Sequence, residues 1–154
     1  YIDEEKIELT SIKINNKVLH QSKLINYFKE EGYQKKISKD LNDLLRKVKK
    51  NKKYFFSKKD IILVEAFKSD GIQVSSKFKN LYETNESEMP SDIQVLINNK
   101  DIATAMLRII EIIGQDELKD IDDDTLYFII NTFNQLDIDP LRNKILLKVL
   151  PLKV

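Results

Sequence analysis

The chain has 154 residues, no cysteine, a single histidine, and 26 Lys and Arg against 25 Asp and Glu. A length of this order suits one domain that buries roughly two thirds of its unfolded surface without disulfides or metals. The missing cysteine excludes disulfide frameworks, zinc–thiolate sites and thiol nucleophiles, and no apolar run reaches the ~20 residues of a membrane-spanning helix.

At the start, Ile7, Leu9, Ile12 and Ile14 lie close to a period of two, and Asn15-Asn16 precedes Lys17-Val18-Leu19. Asparagine tolerates the left-handed backbone of a two-residue turn, so a small β-hairpin is expected over about 7–20. An amphipathic helix is the rival reading. From Ser22 the pattern turns helical: Ser22 can cap, Leu24, Ile25 and Phe28 share a face, and Gly32 lies past the end. A second helix runs from about Ser38 through Leu41, Leu44, Leu45 and Val48 into a lysine-rich end. Ser57 followed by Asp60 is a capping box, Phe56 and Ile61 are placed as a hydrophobic staple, and Gly71 ends the helix they open. A shorter helix follows over about 75–82.

The stretch 83–88 lacks apolar residues and is closed by Met89-Pro90, the composition of a linker or hinge. It suggests a single domain that subdivides into a basic half, 1–82, and an apolar, acidic half, 90–154, joined by 83–89. In the second half, Ser91 with Gln94 predicts a capping box, and Asn98-Asn99 a left-handed helix exit. Asp101 starts the next helix, whose Ile102, Met106, Leu107, Ile109, Ile110, Ile112 and Ile113 cover most of the circumference before Gly114 caps it. One of Asp122 to Asp124 caps the next, which carries Leu126, Phe128, Ile129, Ile130, Phe133 and Leu136. Asp139-Pro140 opens the last, with Leu141, Ile145, Leu146 and Val149 as its apolar face and Pro151 as its stop. Segments 102–113, 125–136 and 141–150 are too apolar all round for lone surface helices, which predicts that they pack on one another.

The expected fold is mainly α: about six to eight short helices in irregular antiparallel hairpins, α-solenoid-like or as an orthogonal bundle, with the small N-terminal β-hairpin at one side. Leu107-Arg108 and Leu141-Arg142 are 34 residues apart, the tetratricopeptide period, yet little else matches when the segments are superposed, so no repeat is assigned.

Charge is unevenly spread. Residues 1–80 hold nineteen Lys and Arg against eleven Asp and Glu, a net of about +8, and residues 81–154 hold seven against fourteen, about −7. From Lys35 to Lys59 eleven basic residues face only Asp40 and Asp43, with Tyr54-Phe55-Phe56 embedded. Lysines interleaved with aromatics suit phosphate backbones or an anionic membrane surface. The candidate anion-binding residues are Lys47, Lys49, Lys50, Lys52, Lys53, Tyr54, Lys58 and Lys59. A solvated helix end with core-facing aromatics is the plainer account, as is pairing of the basic half with the acidic half.

No other constellation carries chemistry. Asp120, Asp122 and Asp124 have the spacing that opens a calcium loop, but Thr125 stands where its glycine belongs and Asn131 where its bidentate glutamate belongs. Helix capping explains those carboxylates. His20 is the one histidine, and a hydrogen-bonded role at the hairpin end is expected for it. No catalytic residue, metal ligand or cofactor is assigned, and the chain is read as non-enzymatic. It begins at Tyr1 rather than methionine, which suggests removal of a leader or an upstream domain and leaves the compartment open.

Asp92-Ile93-Gln94-Val95-Leu96-Ile97-Asn98-Asn99, Leu107-Arg108-Ile109-Ile110-Glu111-Ile112-Ile113-Gly114 and Thr125-Leu126-Tyr127-Phe128 resemble the C-terminal helical-hairpin region of large uncharacterised bacterial proteins. The resemblance spans about residues 90–154 and implies a place in a longer protein, without an activity. The expected function is a protein-interaction or scaffolding module holding a protein partner. The alternative is nucleic-acid or anionic-membrane-surface binding through residues 35–59.

Overall fold

The computed structural model describes residues 12–29, 35–83 and 89–153. The fold is mainly α. Seven α-helices occur among the described residues: α1 (Ile37–Lys50), α2 (Lys58–Ser69), α3 (Lys79–Tyr82), α4 (Ser91–Asn98), α5 (Ile102–Ile113), α6 (Asp123–Leu136) and α7 (Asp139–Val149). Four 3-10 segments, Leu19–Gln21, Lys23–Phe28, Ser76–Phe78 and Leu118–Asp120, make the joints. No helix among the described residues is long and apolar enough to cross a membrane.

Local sequence signals account for most helix ends. The Ser57 hydroxyl accepts the Asp60 amide (3.2 Å) and the Asp60 carboxylate accepts the Ser57 amide (3.2 Å), closing the expected capping box. Asp101 and Asp122 cap α5 and α6 by accepting the Thr104 and Thr125 amides. At the far end of α2, Gly71 takes φ +83° while the Ile72 amide reaches back to the Phe67 carbonyl (3.0 Å). Gly114 ends α5 at φ +59°.

Other ends depart from expectation. The left-handed exit from α4 falls on Lys100 (φ +55°), not on Asn98-Asn99, because the closing bond from the Asp101 amide to the Leu96 carbonyl (2.9 Å) fixes the turn one residue later. Ser91 is the first helical residue and Pro90 the cap, so the Ser91–Gln94 capping box does not form. Asp139 likewise lies within α7, with Ile138 at the cap position. Gly32 and residues 84–88 lie outside the described residues.

The expected N-terminal hairpin is not formed. Ile12–Lys13 (β1) pairs antiparallel with Leu152–Lys153 (β2) at the other end of the chain, Ile12 opposite Lys153. Asn15 does make a turn, its side chain accepting the Lys17 amide, but the chain then enters the 3-10 segment Leu19–Gln21. The physical reason lies in the amides a return strand would have offered. Leu19 N–H donates to the Tyr54 hydroxyl (2.9 Å) and His20 N–H to Asp60 (3.0 Å), so the loop before α2 takes one and the start of α2 the other. Residues 7–11 of that expectation lie outside the described residues.

The main core spans both sequence halves. It includes Leu24, Ile25 and Phe28 from the second 3-10 segment, Leu41 and Leu45 from α1, most of α2, Ile129, Ile130 and Phe133 from α6, and Ile145 and Leu146 from α7. The most extensive helix pairing is between α2 and α6, not between sequence neighbours. Helix α2 is apolar on nearly every side and therefore central: Asp60 to Val64, Ala66 and Phe67 are all buried. Phe28 stacks on Phe67 at 5.1 Å between ring centroids. A smaller cluster of Ile93, Ile97, Ala105 and Leu136 ties α4 and α5 to the end of α6.

In α7 the apolar pattern misplaces one residue. Leu141 is exposed at 37%, while Arg142 is fully buried at 0% and completes the inward face with Ile145, Leu146 and Val149. Its guanidinium makes a two-pronged pair with Asp70 (Nη1 to Oδ1 and Nη2 to Oδ2, both 2.8 Å) and also donates to Asn134 and Asn143. Tyr27 donates to the same Asp70 (3.0 Å), and Phe28 lies under the guanidinium at 5.8 Å.

Replacing Arg142 by leucine strands a partly buried Asp70. The expected loss is about 3 kcal/mol or more of unfolding free energy, read from urea denaturation midpoints. Burial, reinforced by the charge of Asp70, pushes the Tyr27 hydroxyl up to about 12 from its usual 10. The unfolded chain releases that proton near 10 and the folded chain keeps it, so stability holds below pH 10 and falls as pH rises toward about 12. A pH series of denaturation curves should show this decline, and Tyr27→Phe should flatten part of it.

Candidate functional site

Three groupings of side chains bear on function: the basic stretch, the surroundings of His20, and the outer side of α4 and α5.

The lysines of the basic stretch fall into two sets by their contacts. Lys47, Lys49, Lys50, Lys52 and Lys53 are exposed at the end of α1 and in the loop after it. Lys49 Nζ donates to the Lys77 carbonyl (2.8 Å) and lies 5.9 Å from the Phe78 ring. Lys58 and Lys59 turn elsewhere: they meet Asp124 (3.6 Å) and Asp123 (3.8 Å), and Lys58 also sits over the Tyr127 ring at 4.4 Å. Each pair joins the first turn of α2 to the first turn of α6. Lysines at a helix N-terminus oppose its dipole, and these aspartates offset that. Asp122 to Asp124 are thus spent on a cap and on the basic half, with Asp122 taken by Thr125, whose hydroxyl donates to it at 2.6 Å. Hydrogen bonds from Thr125 hold the Asp122 carboxyl below the usual carboxylate range.

Of the three consecutive aromatics, Tyr54 is half-buried, with its hydroxyl donating to Asp60 (2.7 Å) and accepting from Leu19 N–H. Burial is the main reason that its hydroxyl is pushed up. Phe56 packs against the core. Phe55 is the ring presented to solvent, 83% exposed.

His20 is held by Asp60. Its Nδ1 lies 2.6 Å from Asp60 Oδ1, and its backbone N–H donates to the same oxygen. Asp60, with 1% of its side chain accessible, thereby serves His20 twice, Tyr54 once and the Ser57 amide once. A histidine oriented by a buried carboxylate is one half of an acid–base device, and the other half is a hydroxyl or water-activating group opposite Nε2. The nearby hydroxyls are otherwise engaged. Ser57 Oγ lies 3.4 Å from Nδ1, on the nitrogen Asp60 already holds, and Ser22 donates to the Leu19 carbonyl (2.6 Å). The network reads as a fastening of the 3-10 segment to the start of α2. Sequence reading expected a hydrogen-bonded histidine, but its partner is 40 residues away, beyond any local pattern.

The third grouping was read from sequence as core. Helix α5 buries Ala105 and Ile109, yet Leu107 is 62% exposed, Ile110 58% and Ile102 46%, and on α4 Val95 is 55% exposed. Ala103, Leu107 and Ile110 follow the i, i+4, i+7 spacing of one helix face. The opposite face of α5 meets α4 and the small cluster. Apolar residues around most of a helix circumference have two readings, burial on all sides or two separate apolar faces, and α5 takes the second. Arg108 borders the exposed face, bonded to Asp92 (2.9 Å) and Glu111 (3.1 Å). The Arg108 hydrogen bond lowers the Asp92 carboxyl below its ordinary range.

Comparison of the chain with family models, curated proteins and solved structures gives no match.

Asp60→Ala should leave several buried donors without an acceptor and lower stability by about 3 kcal/mol or more. Chemical denaturation measures this, and loss of His20 ring-proton dispersion by nuclear magnetic resonance would show that the 3-10 segment has detached.

Proposed function

We propose that the chain is a non-enzymatic protein-interaction module whose contact surface is the outer side of α4 and α5. The observation that supports the reading is the second apolar face of α5, which no described segment covers. Contiguous exposed apolar surface is disfavoured in a protein that stays alone in water and marks interfaces in those that do not. A row at i, i+4, i+7 suits a helix laid alongside, with each side chain that becomes buried adding about 1.5–3 kcal/mol of driving force before the costs of association.

The border of that surface favours a particular partner. Residues 91–120 hold six acidic against three basic residues, and Arg108, beside the apolar row, is already paired with Asp92 and Glu111. An amphipathic helix with an apolar stripe and basic flanks complements it in both respects.

Fluorescence anisotropy with labelled amphipathic peptides tests this. A peptide with basic flanks should bind more tightly than one with acidic flanks and the same apolar stripe. Leu107→Asp and Ile110→Asp should each weaken that binding by about tenfold or more while leaving the thermal melt unchanged, because both side chains are exposed. Equal binding by the wild type and both variants would sink the reading, and concentration-dependent self-association lost in the same variants would replace the helix partner with a second copy of the chain.

A further inference from the structure

A different feature carries a second site. Between α1 and α2 the chain turns through Asn51 to Ser57, and this loop is fastened on both sides of Phe55. Asn51 closes α1 with its own N–H on the Lys47 and Val48 carbonyls, its side chain accepts the Lys53 amide (3.1 Å), and its carbonyl accepts the Tyr54 amide (3.0 Å). Tyr54 is anchored through its hydroxyl to Asp60 and Leu19, and Phe56 packs on the core. With Tyr54 and Phe56 both turned inward, Phe55 between them is the ring left to solvent. Its 83% exposure is thus built into the loop.

One exposed apolar side chain is ordinary on a protein surface. This one follows Lys47, Lys50, Lys52 and Lys53 in sequence, all exposed, in a stretch with no acidic residue between Asp43 and Asp60. Two polyanions fit lysines beside a ring. A nucleic acid would stack a base on Phe55 and would favour arginine and free donors for phosphates and base edges. The loop has no arginine, and the neighbouring Tyr54 hydroxyl is committed to the interior. A lipid surface needs only an apolar tip that enters the boundary between headgroups and acyl chains, and point charges that stay at the phosphate level. Lysine, with its long apolar stem and terminal ammonium, suits that position.

We infer that the α1–α2 loop docks the protein on bilayers bearing anionic headgroups, Phe55 entering the interface while Lys50, Lys52 and Lys53 meet lipid phosphates. This site is separate from the α4–α5 surface, and Leu107→Asp leaves it intact.

The chain contains no tryptophan, so Phe55→Trp introduces a lone indole at the tip of the loop, where the exposed site admits it without repacking. With vesicles of equimolar phosphatidylcholine and phosphatidylglycerol its emission should shift to the blue and be quenched by brominated acyl chains, whereas pure phosphatidylcholine vesicles leave it unchanged. In co-sedimentation with the same vesicles, Phe55→Ala should weaken binding by about tenfold. Lys52→Gln with Lys53→Gln should weaken it by at least about tenfold and reduce its salt sensitivity. Circular dichroism melts establish that these exposed-site variants fold.

Unchanged emission with anionic vesicles overturns the inference. So does binding that Phe55→Ala leaves intact, since the attraction would then be charge alone. A larger emission change with oligodeoxythymidylate than with vesicles also overturns it and assigns the loop to single-stranded nucleic acid.

Discussion

A guanidinium with no access to water must find its hydrogen bonds inside the chain, and Arg142 takes them from α2, α6 and α7 together. Asp70 just past α2, Asn134 in α6 and Asn143 in α7 each accept from it, and Phe28 closes the space beneath it. A fully buried charge is tolerated only when such partners are fixed in place, so their positions are set jointly. The pairing of Arg142 with Asp70 joins residues 72 positions apart and draws the basic and acidic parts of the sequence into one core.

Helix α2 is consequently held at both ends by carboxylates, Asp60 buried and Asp70 partly buried. Asp60 at its start gathers His20, Tyr54 and the Ser57 amide, and Asp70 after its end gathers Arg142 and Tyr27. Between these anchors its side chains are almost all apolar and supply the centre of the core. Dispersion and burial provide the magnitude of stabilisation there, but apolar packing alone leaves a helix free to slide or rotate at modest cost. The two polar ends remove that freedom, and Asp60 with its partner Tyr54 also fixes residues 19 and 20 by taking their amides and the His20 ring.

With its interior settled in this way, the molecule keeps its most exposed large apolar side chains, among the described residues, in two places. One is the outer face of α5, bordered by acid; the other is Phe55, bordered by lysine. The opposite charge surrounding the two follows from the asymmetry of the sequence, only part of which is neutralised where Lys58 and Lys59 meet Asp124 and Asp123. The proposed protein partner and the inferred lipid surface would therefore engage different segments of the chain, with surroundings of opposite charge.

The amino-acid sequence by itself determined the fold class, the approximate helices and those ends that depend on a residue's own neighbours: the Ser57–Asp60 box, the Asp101 cap, a cap among Asp122 to Asp124, and the turns at Gly71 and Gly114. Capping and left-handed turns are interactions over three to five residues, so their signals are local. Tertiary structure alone decided which of two apolar faces of α5 is covered, that Arg142 and not Leu141 turns inward, that β1 finds β2 instead of folding into a hairpin, and that Phe55 rather than Tyr54 faces solvent. Periodicity marks a residue as apolar without saying what lies opposite it. Burying Asp60 and Arg142 depends on partners 40 and 72 residues away, and those partners come within reach only when the whole chain has closed around them.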